Sequence, residues 1–109
     1  MQVLVRHDGT IHGGERLIEI ATATVESELA RFADRITTVE VHFADENGHK
    51  SGGDDIRCSI EVRFEGRPPS AASHHASDLE VAVEVAAGKV ARMLDHQLGR
   101  IRGQAAPVL

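Results

Sequence analysis

Two stretches of strict alternation limit what this chain can become. From about residue 36 to 44, Val39, Val41 and Phe43 alternate with Glu40 and His42. From about 56 to 65, Cys58, Ile60, Val62 and Phe64 alternate with Arg57, Ser59, Glu61, Arg63 and Glu65. Successive side chains of a strand point to opposite faces, so each run predicts a strand with one apolar and one wet side. Sheets of such strands are covered on one face only, which suits antiparallel pairing. The connection Asp45-Glu46-Asn47-Gly48-His49-Lys50-Ser51-Gly52-Gly53-Asp54-Asp55 is polar and long for a hairpin, and a mobile tip is expected.

The cover for the apolar face is written in a different period. Over about 14–34, Leu17, Ile18, Ala21, Val25, Leu29 and Phe32 recur every three or four residues, the signature of an amphipathic helix. Glu15 and Glu19 lie near its start, where negative charge is favoured. A second helix is expected to open at Ser77-Asp78-Leu79-Glu80, a capping-box pattern. Leu79, Ala82, Val83, Ala86, Val90, Met93, Leu94 and Ile101 form its apolar stripe. Gly88 falls inside that stripe's helix and implies close packing against the sheet; Gly99 and Gly103 offer stopping points. Residues 2–6 read as a short first strand, with Val3 and Val5 on one face, leading into a connection marked by Gly9, Gly13 and Gly14. Gly66-Arg67-Pro68-Pro69 turns the chain into a short fourth strand at Ser70–Ser73, with Pro69 suited to a sheet edge.

The order is β-α-β-β-β-α. It predicts an α+β two-layer sandwich: a four-stranded mixed sheet with both helices on one face, strands one and two parallel and the rest antiparallel. With 109 residues the chain fits a single domain, expected over 1–102, with 103–109 as a flexible C-terminal tail.

Chemistry is sparse. No apolar run approaches the ~18 residues of a membrane span. The opening Met1–Asp8 has no basic segment leading into an apolar one, so export by that route is not expected and the cytoplasm is. A single cysteine, Cys58, forms no intramolecular disulfide and no four-thiolate zinc site. Seven histidines raise the question of a metal, since His42, His49, Asp45, Asp54, Asp55 and Cys58 are close in sequence, and His74-His75 precede the last helix. Yet Cys58 belongs to the apolar set and His42 to the wet set, so the two face opposite ways, and adjacent histidines in a strand diverge. The same opposition argues against a Cys58–His42 nucleophile and base. Phosphate-loop, dinucleotide, calcium-loop and nucleophile-elbow motifs are missing. The expectation is a non-enzyme with no metal, no cofactor and no small-molecule substrate.

What stands out is charge placement. Twelve basic against seventeen acidic residues give −5, which opposes a global grip on nucleic acid. From residue 88 onwards, however, Lys89, Arg92, Arg100 and Arg102 face only Asp95, a net of +3. Lys89, Arg92, His96 and Arg100 are spaced three, four and four, so they share one helix face, a row able to follow a phosphate backbone. A solvated helix face whose cations favour the helix's own dipole is the plainer reading of the same residues.

The stretch Glu28-Leu29-Ala30-Arg31-Phe32-Ala33-Asp34-Arg35-Ile36, the pattern Leu79…Ala82…Ala86…Lys89-Val90…Arg92…Leu94 and the order of elements resemble the bacterial ribosome hibernation promoting factor family. That family includes the ribosome-associated inhibitor and was once labelled sigma-54 modulation protein. The resemblance spans about residues 1–102 and fits the short form, without the longer form's C-terminal dimerisation domain. Asp45 to Cys58 is similar to a proteobacterial subgroup of ribosome-associated members. The resemblance implies a non-enzymatic factor that docks in the small ribosomal subunit, in the channel of messenger and transfer RNA. There it inhibits translation or preserves idle ribosomes in stress or stationary phase. Basic helix side chains carry the contacts to ribosomal RNA: Lys89 and Arg92 match basic positions of the second helix, and Arg31 one near the end of the first. Adding the charge pattern, the expected RNA-binding set is Arg31, Lys89, Arg92, His96, Arg100 and Arg102. Asp95 and His96 stand where the family is usually basic, and the chain carries fewer lysines than is usual. The alternative is an acidic protein-interaction module that kept the fold but lost RNA binding, working through Glu40, His42, Arg57, Glu61, Arg63 and the 45–55 loop.

Overall fold

The structure, a computed structural model, describes residues 1–8, 14–45 and 56–105, with side chains described as far as Leu98. The elements are β1 (Gln2–His7), α1 (Gly14–Glu28), a 3₁₀ turn (Ala30–Phe32), β2 (Ile36–Asp45), β3 (Ile56–Phe64), β4 (Arg67–Ala76) and α2 (Leu79–Ala105). The strands form one sheet in the order β1-β2-β3-β4, with β1 parallel to β2 and the other two pairs antiparallel. This is the α+β architecture that the residue periodicities dictate.

The alternating strands bury the expected sets. Val39, Val41, Phe43, Cys58, Ile60 and Val62 are wholly inaccessible, and Val3 and Val5 pack against them from β1. Across the β2–β3 ladder Val41 faces Ile60 and Phe43 faces Cys58, so apolar partners stack in register. From the helices come Leu17, Ala21 and Val25 of α1, and Ala82, Val83, Ala86, Ala87, Val90, Ala91, Leu94 and Leu98 of α2. The half-buried Met93 lies outside this stripe, Ala87, Ala91 and Leu98 join it, and the side chain of Ile101 lies outside the described residues. Each large buried side chain contributes about 1.5–3 kcal/mol by leaving water.

Four departures from the sequence expectation have local causes. The first helix stops at Glu28, not near residue 34, because Leu29 leaves helical geometry (φ −106°, ψ 9°) and the chain tightens into the 3₁₀ turn. With three residues per turn, Leu29 and Phe32 still project to the same side, and both are buried. Ile18 is 43% exposed instead of buried, since the buried stripe of α1 is the narrower row Leu17, Ala21, Val25. The fourth strand is not a short piece over 70–73 but ten residues long. The chain reverses at Glu65-Gly66, with Gly66 in the left-handed region at φ 75° that glycine enters freely. Arg67-Pro68-Pro69 already belong to β4. Between the pairs Phe64–Arg67 and Val62–Ser70, two residues of β4 oppose one of β3, so the prolines occupy a bulge on an edge strand. A second bulge in β2 holds Thr37, whose Oγ1 donates to the Arg63 carbonyl at 3.1 Å.

The fourth departure is the cap of α2. Asp78, not Ser77, closes it: its Oδ1 accepts from the Glu80 N–H at 2.8 Å, and its carbonyl accepts from Ala82 N–H at 3.0 Å. A carboxylate is the stronger acceptor for an orphan helix donor. The helix then runs through Gly88, Gly99 and Gly103 to Ala105. Gly88 is not pressed on the sheet; a Cβ there meets only the Arg92 Nη1, at an ordinary 3.6 Å. The connection at 9–13, the loop at 46–55 and residues 106–109 lie outside the described residues.

Two stability changes follow. Gly88→Ala raises the unfolding free energy by about 1 kcal/mol, the helix-propensity gain without a steric cost. Asp78→Ala lowers it by about 1 kcal/mol through loss of the cap. Urea denaturation of the two variants measures both; a destabilised Gly88→Ala would contradict the open environment of that residue.

Candidate nucleic-acid interface

The buried stripe of α2 fixes which of its side chains meet solvent. With Val83, Val90 and Leu94 held in the core, Arg92 and His96 fall on the opposite side, and both are exposed. Lys89 leans towards the sheet edge, where its Nζ donates to the Ser73 carbonyl of β4 at 3.0 Å. The lysine covers one acceptor of the edge strand, and since a carbonyl is neutral its full charge stays at the surface. Among the described residues Arg92 makes no ion pair. Arg100 and Arg102 belong to the backbone of α2, and their side chains lie outside the described residues.

Arg31 is placed by the 3₁₀ turn. Its guanidinium sits over the Phe32 ring, 4.7 Å from the centroid. It donates from Nε to Asp95 Oδ1 at 3.2 Å and from Nη2 to Asp95 Oδ2. The structure thus brings Arg31 beside α2, but hands it to Asp95. Nothing in the sequence marks this pair, whose members are 64 residues apart. Arg35 lies close by: with Arg31, Phe32, Asp34 and Leu98 it lines a cleft of about 220 Å³.

The wet face of the sheet balances its charges locally. Glu40 and Glu61 stand directly opposite each other across β2 and β3, and each has an arginine: Arg6 at 3.8 Å from Glu40 and Arg63 at 2.9 Å from Glu61. His42 Nε2 lies 3.2 Å from Asp8 Oδ1, and Arg57 Nε donates to Ser59 Oγ at 3.1 Å. Small side chains at Ser59, Ala71 and Ser73 leave a shallow concavity of about 410 Å³ bordered by Glu40, His42, Arg57 and Glu61.

Cys58 is fully buried, and burial pushes its thiol up to about 12. It faces the core while His42 faces water, as the alternation requires. Among the described residues no three His, Cys, Asp or Glu side chains converge as for a metal. His49, Asp54 and Asp55 lie outside those residues. No helix there is long and apolar enough to cross a membrane.

Comparison with known proteins now bears on this geometry. Residues 10–102 match the model of the family described as sigma 54 modulation protein / S30EA ribosomal protein. The chain belongs to this family. Its members are non-enzymatic factors. The fold is similar to the N-terminal domain of Protein Y from Thermus thermophilus, with TM-score 0.70 and 12% identity over 89% of this chain and 99% of that one. It is also similar to a ribosomal subunit interface protein from Coxiella burnetii, with TM-score 0.66 and 15% identity over 91% of this chain and 99% of that one. No curated protein sequence matches the chain.

The burial of Cys58 has a direct consequence. The folded protein resists alkylation by iodoacetamide at pH 8, because both ionisation and access are suppressed, whereas the urea-unfolded chain reacts promptly. Mass spectrometry of the two samples checks this; equal labelling would show that β3 opens readily.

Proposed function

We propose that this family member binds the small ribosomal subunit through ribosomal RNA, in the cytoplasm, and inhibits translation or preserves idle ribosomes under stress. The observation that carries the reading is the exposed Arg92 on the solvent side of α2, which has no ion pair among the described residues, with Lys89 beside it and His96 one turn on. In a chain of net −5, this helix face concentrates positive charge. The names of the family and of the Coxiella burnetii relative, a ribosomal subunit interface protein, support the same partner. Lys89, Arg92, Arg100 and Arg102 would neutralise phosphates in sequence along the helix, while Arg31, at the flank, is held by Asp95. His96 adds a charge when protonated. Such contacts release counterions, and affinity falls as salt rises.

A second reading has its own observation. Arg31 is neutralised by Asp95, and the wet sheet face presents a concavity bordered by Glu40, Glu61, Arg57 and His42. That arrangement suits an acidic protein-interaction module that has kept the fold and lost RNA binding.

Co-sedimentation with purified small subunits over a salt series separates the two. Under the first reading, log affinity falls with log salt with a slope of about −3, as three or four phosphate contacts require. Lys89→Glu with Arg92→Glu abolishes binding, and Glu61→Gln leaves it intact. Absence of binding at low salt, with purified subunits and in stationary-phase extract alike, defeats the first reading.

A further inference from the structure

Arg31 is gripped from two directions. The Phe32 ring supports one face of the guanidinium, and Asp95 takes its Nε and Nη2 edge. This side-on fork, two N–H donors to two oxygens of one anion, is the geometry arginine also offers a phosphate. The Asp95 carboxylate therefore stands where a phosphate would. At 100° per residue, Asp95 lies only about 60° around α2 from Arg92. On the side towards Arg31, it places one negative charge between the exposed Arg92 and the supported guanidinium.

The pair is open to exchange. Its side chains are 57% and 53% exposed, and exposed ion pairs hold weakly. The cleft beside Arg31, lined also by Arg35 and Asp34, offers room for an anion. Aromatic support keeps the Arg31 guanidinium in place when its partner leaves, so little ordering entropy remains to be lost on binding.

We infer that Asp95 is an attenuator of RNA binding: by occupying the Arg31 fork it withholds one phosphate contact from the interface and holds affinity below what the cations of this surface permit. The inference rests on the ribosome-binding reading and names the residue that sets its strength. A carboxylate is a self-supplied competitor for the phosphate, present on the same molecule and never diluted away.

The test is equilibrium binding to purified small subunits across a salt series, with Asp95→Ala, the double variant Arg31→Gln/Asp95→Ala, and Glu84→Ala. Alanine on an exposed helix surface keeps the helix, and circular dichroism verifies folding of each protein. Asp95→Ala is expected to bind about 3- to 10-fold more tightly, the scale of one added hydrogen-bonded contact at an exposed site. Its salt slope steepens by roughly 0.7–0.9, one further released counterion. The double variant, which has the net charge of the parent, loses that gain in both affinity and slope. Glu84→Ala makes the same change in net charge on a remote part of α2 and serves as the measure of a general charge effect.

If the parent protein binds but Asp95→Ala is unchanged or weaker, Asp95 does not attenuate and ribosome binding itself stands. If Glu84→Ala gains as much as Asp95→Ala, the effect is net charge; if the double variant keeps the gain, it does not run through Arg31; in either case the Arg31 fork is not the withheld contact. If neither the parent nor Asp95→Ala binds at low salt, the ribosome-binding reading falls and the attenuator with it.

Discussion

One-sided burial organises this molecule. A four-stranded sheet with a single apolar face needs a cover, and two helices of matching stripe supply it. The buried set of valines, leucines, isoleucines and phenylalanines, each worth about 1.5–3 kcal/mol, outweighs the exposed ion pairs, each worth about 0.2–1 kcal/mol. Packing therefore decides where every element lies, and charge is left to decorate the faces that packing leaves free.

For α2 that division has functional weight. Val83, Val90 and Leu94 lock the helix against the sheet, and their burial turns Arg92 and His96 to solvent. Ser70, the one buried polar residue among those described, donates to Gln97 Oε1 at 3.2 Å and ties β4 to the same helix. Lys89 adds a third link by covering the Ser73 carbonyl on the open edge. An exposed edge invites pairing with another chain, and the prolines of β4 together with this lysine blunt it. The same lysine thus protects the fold and contributes charge to the candidate interface.

The two flanks of that interface differ in kind. Towards β4, the neighbour of Lys89 is a neutral carbonyl, so its charge is undiminished. Towards the 3₁₀ turn, the neighbour of Arg31 is a carboxylate, so the two charges cancel. A net charge of −5 arises from acids spread over the whole body and does not by itself say which cations are free. The local partner does.

Period-two and period-3.6 patterns are properties of adjacent residues, and they were legible without coordinates. Val39 to Phe43 and Cys58 to Val62 announced the strands, their buried faces and the opposition of Cys58 and His42. Leu17 to Val25 and Ala82 to Leu94 announced the helices. Lys89, Arg92 and His96 were legible as one helix face for the same reason. Element ends were less so, because Leu29 breaks α1 without a glycine or proline to mark it, and Asp78 outcompetes its neighbour Ser77 for the cap. The match of Arg31 to Asp95 and of Lys89 to Ser73 depends on how α2 lies across the sheet. Partners distant in the chain leave no periodic trace, and only tertiary packing decides which charges meet.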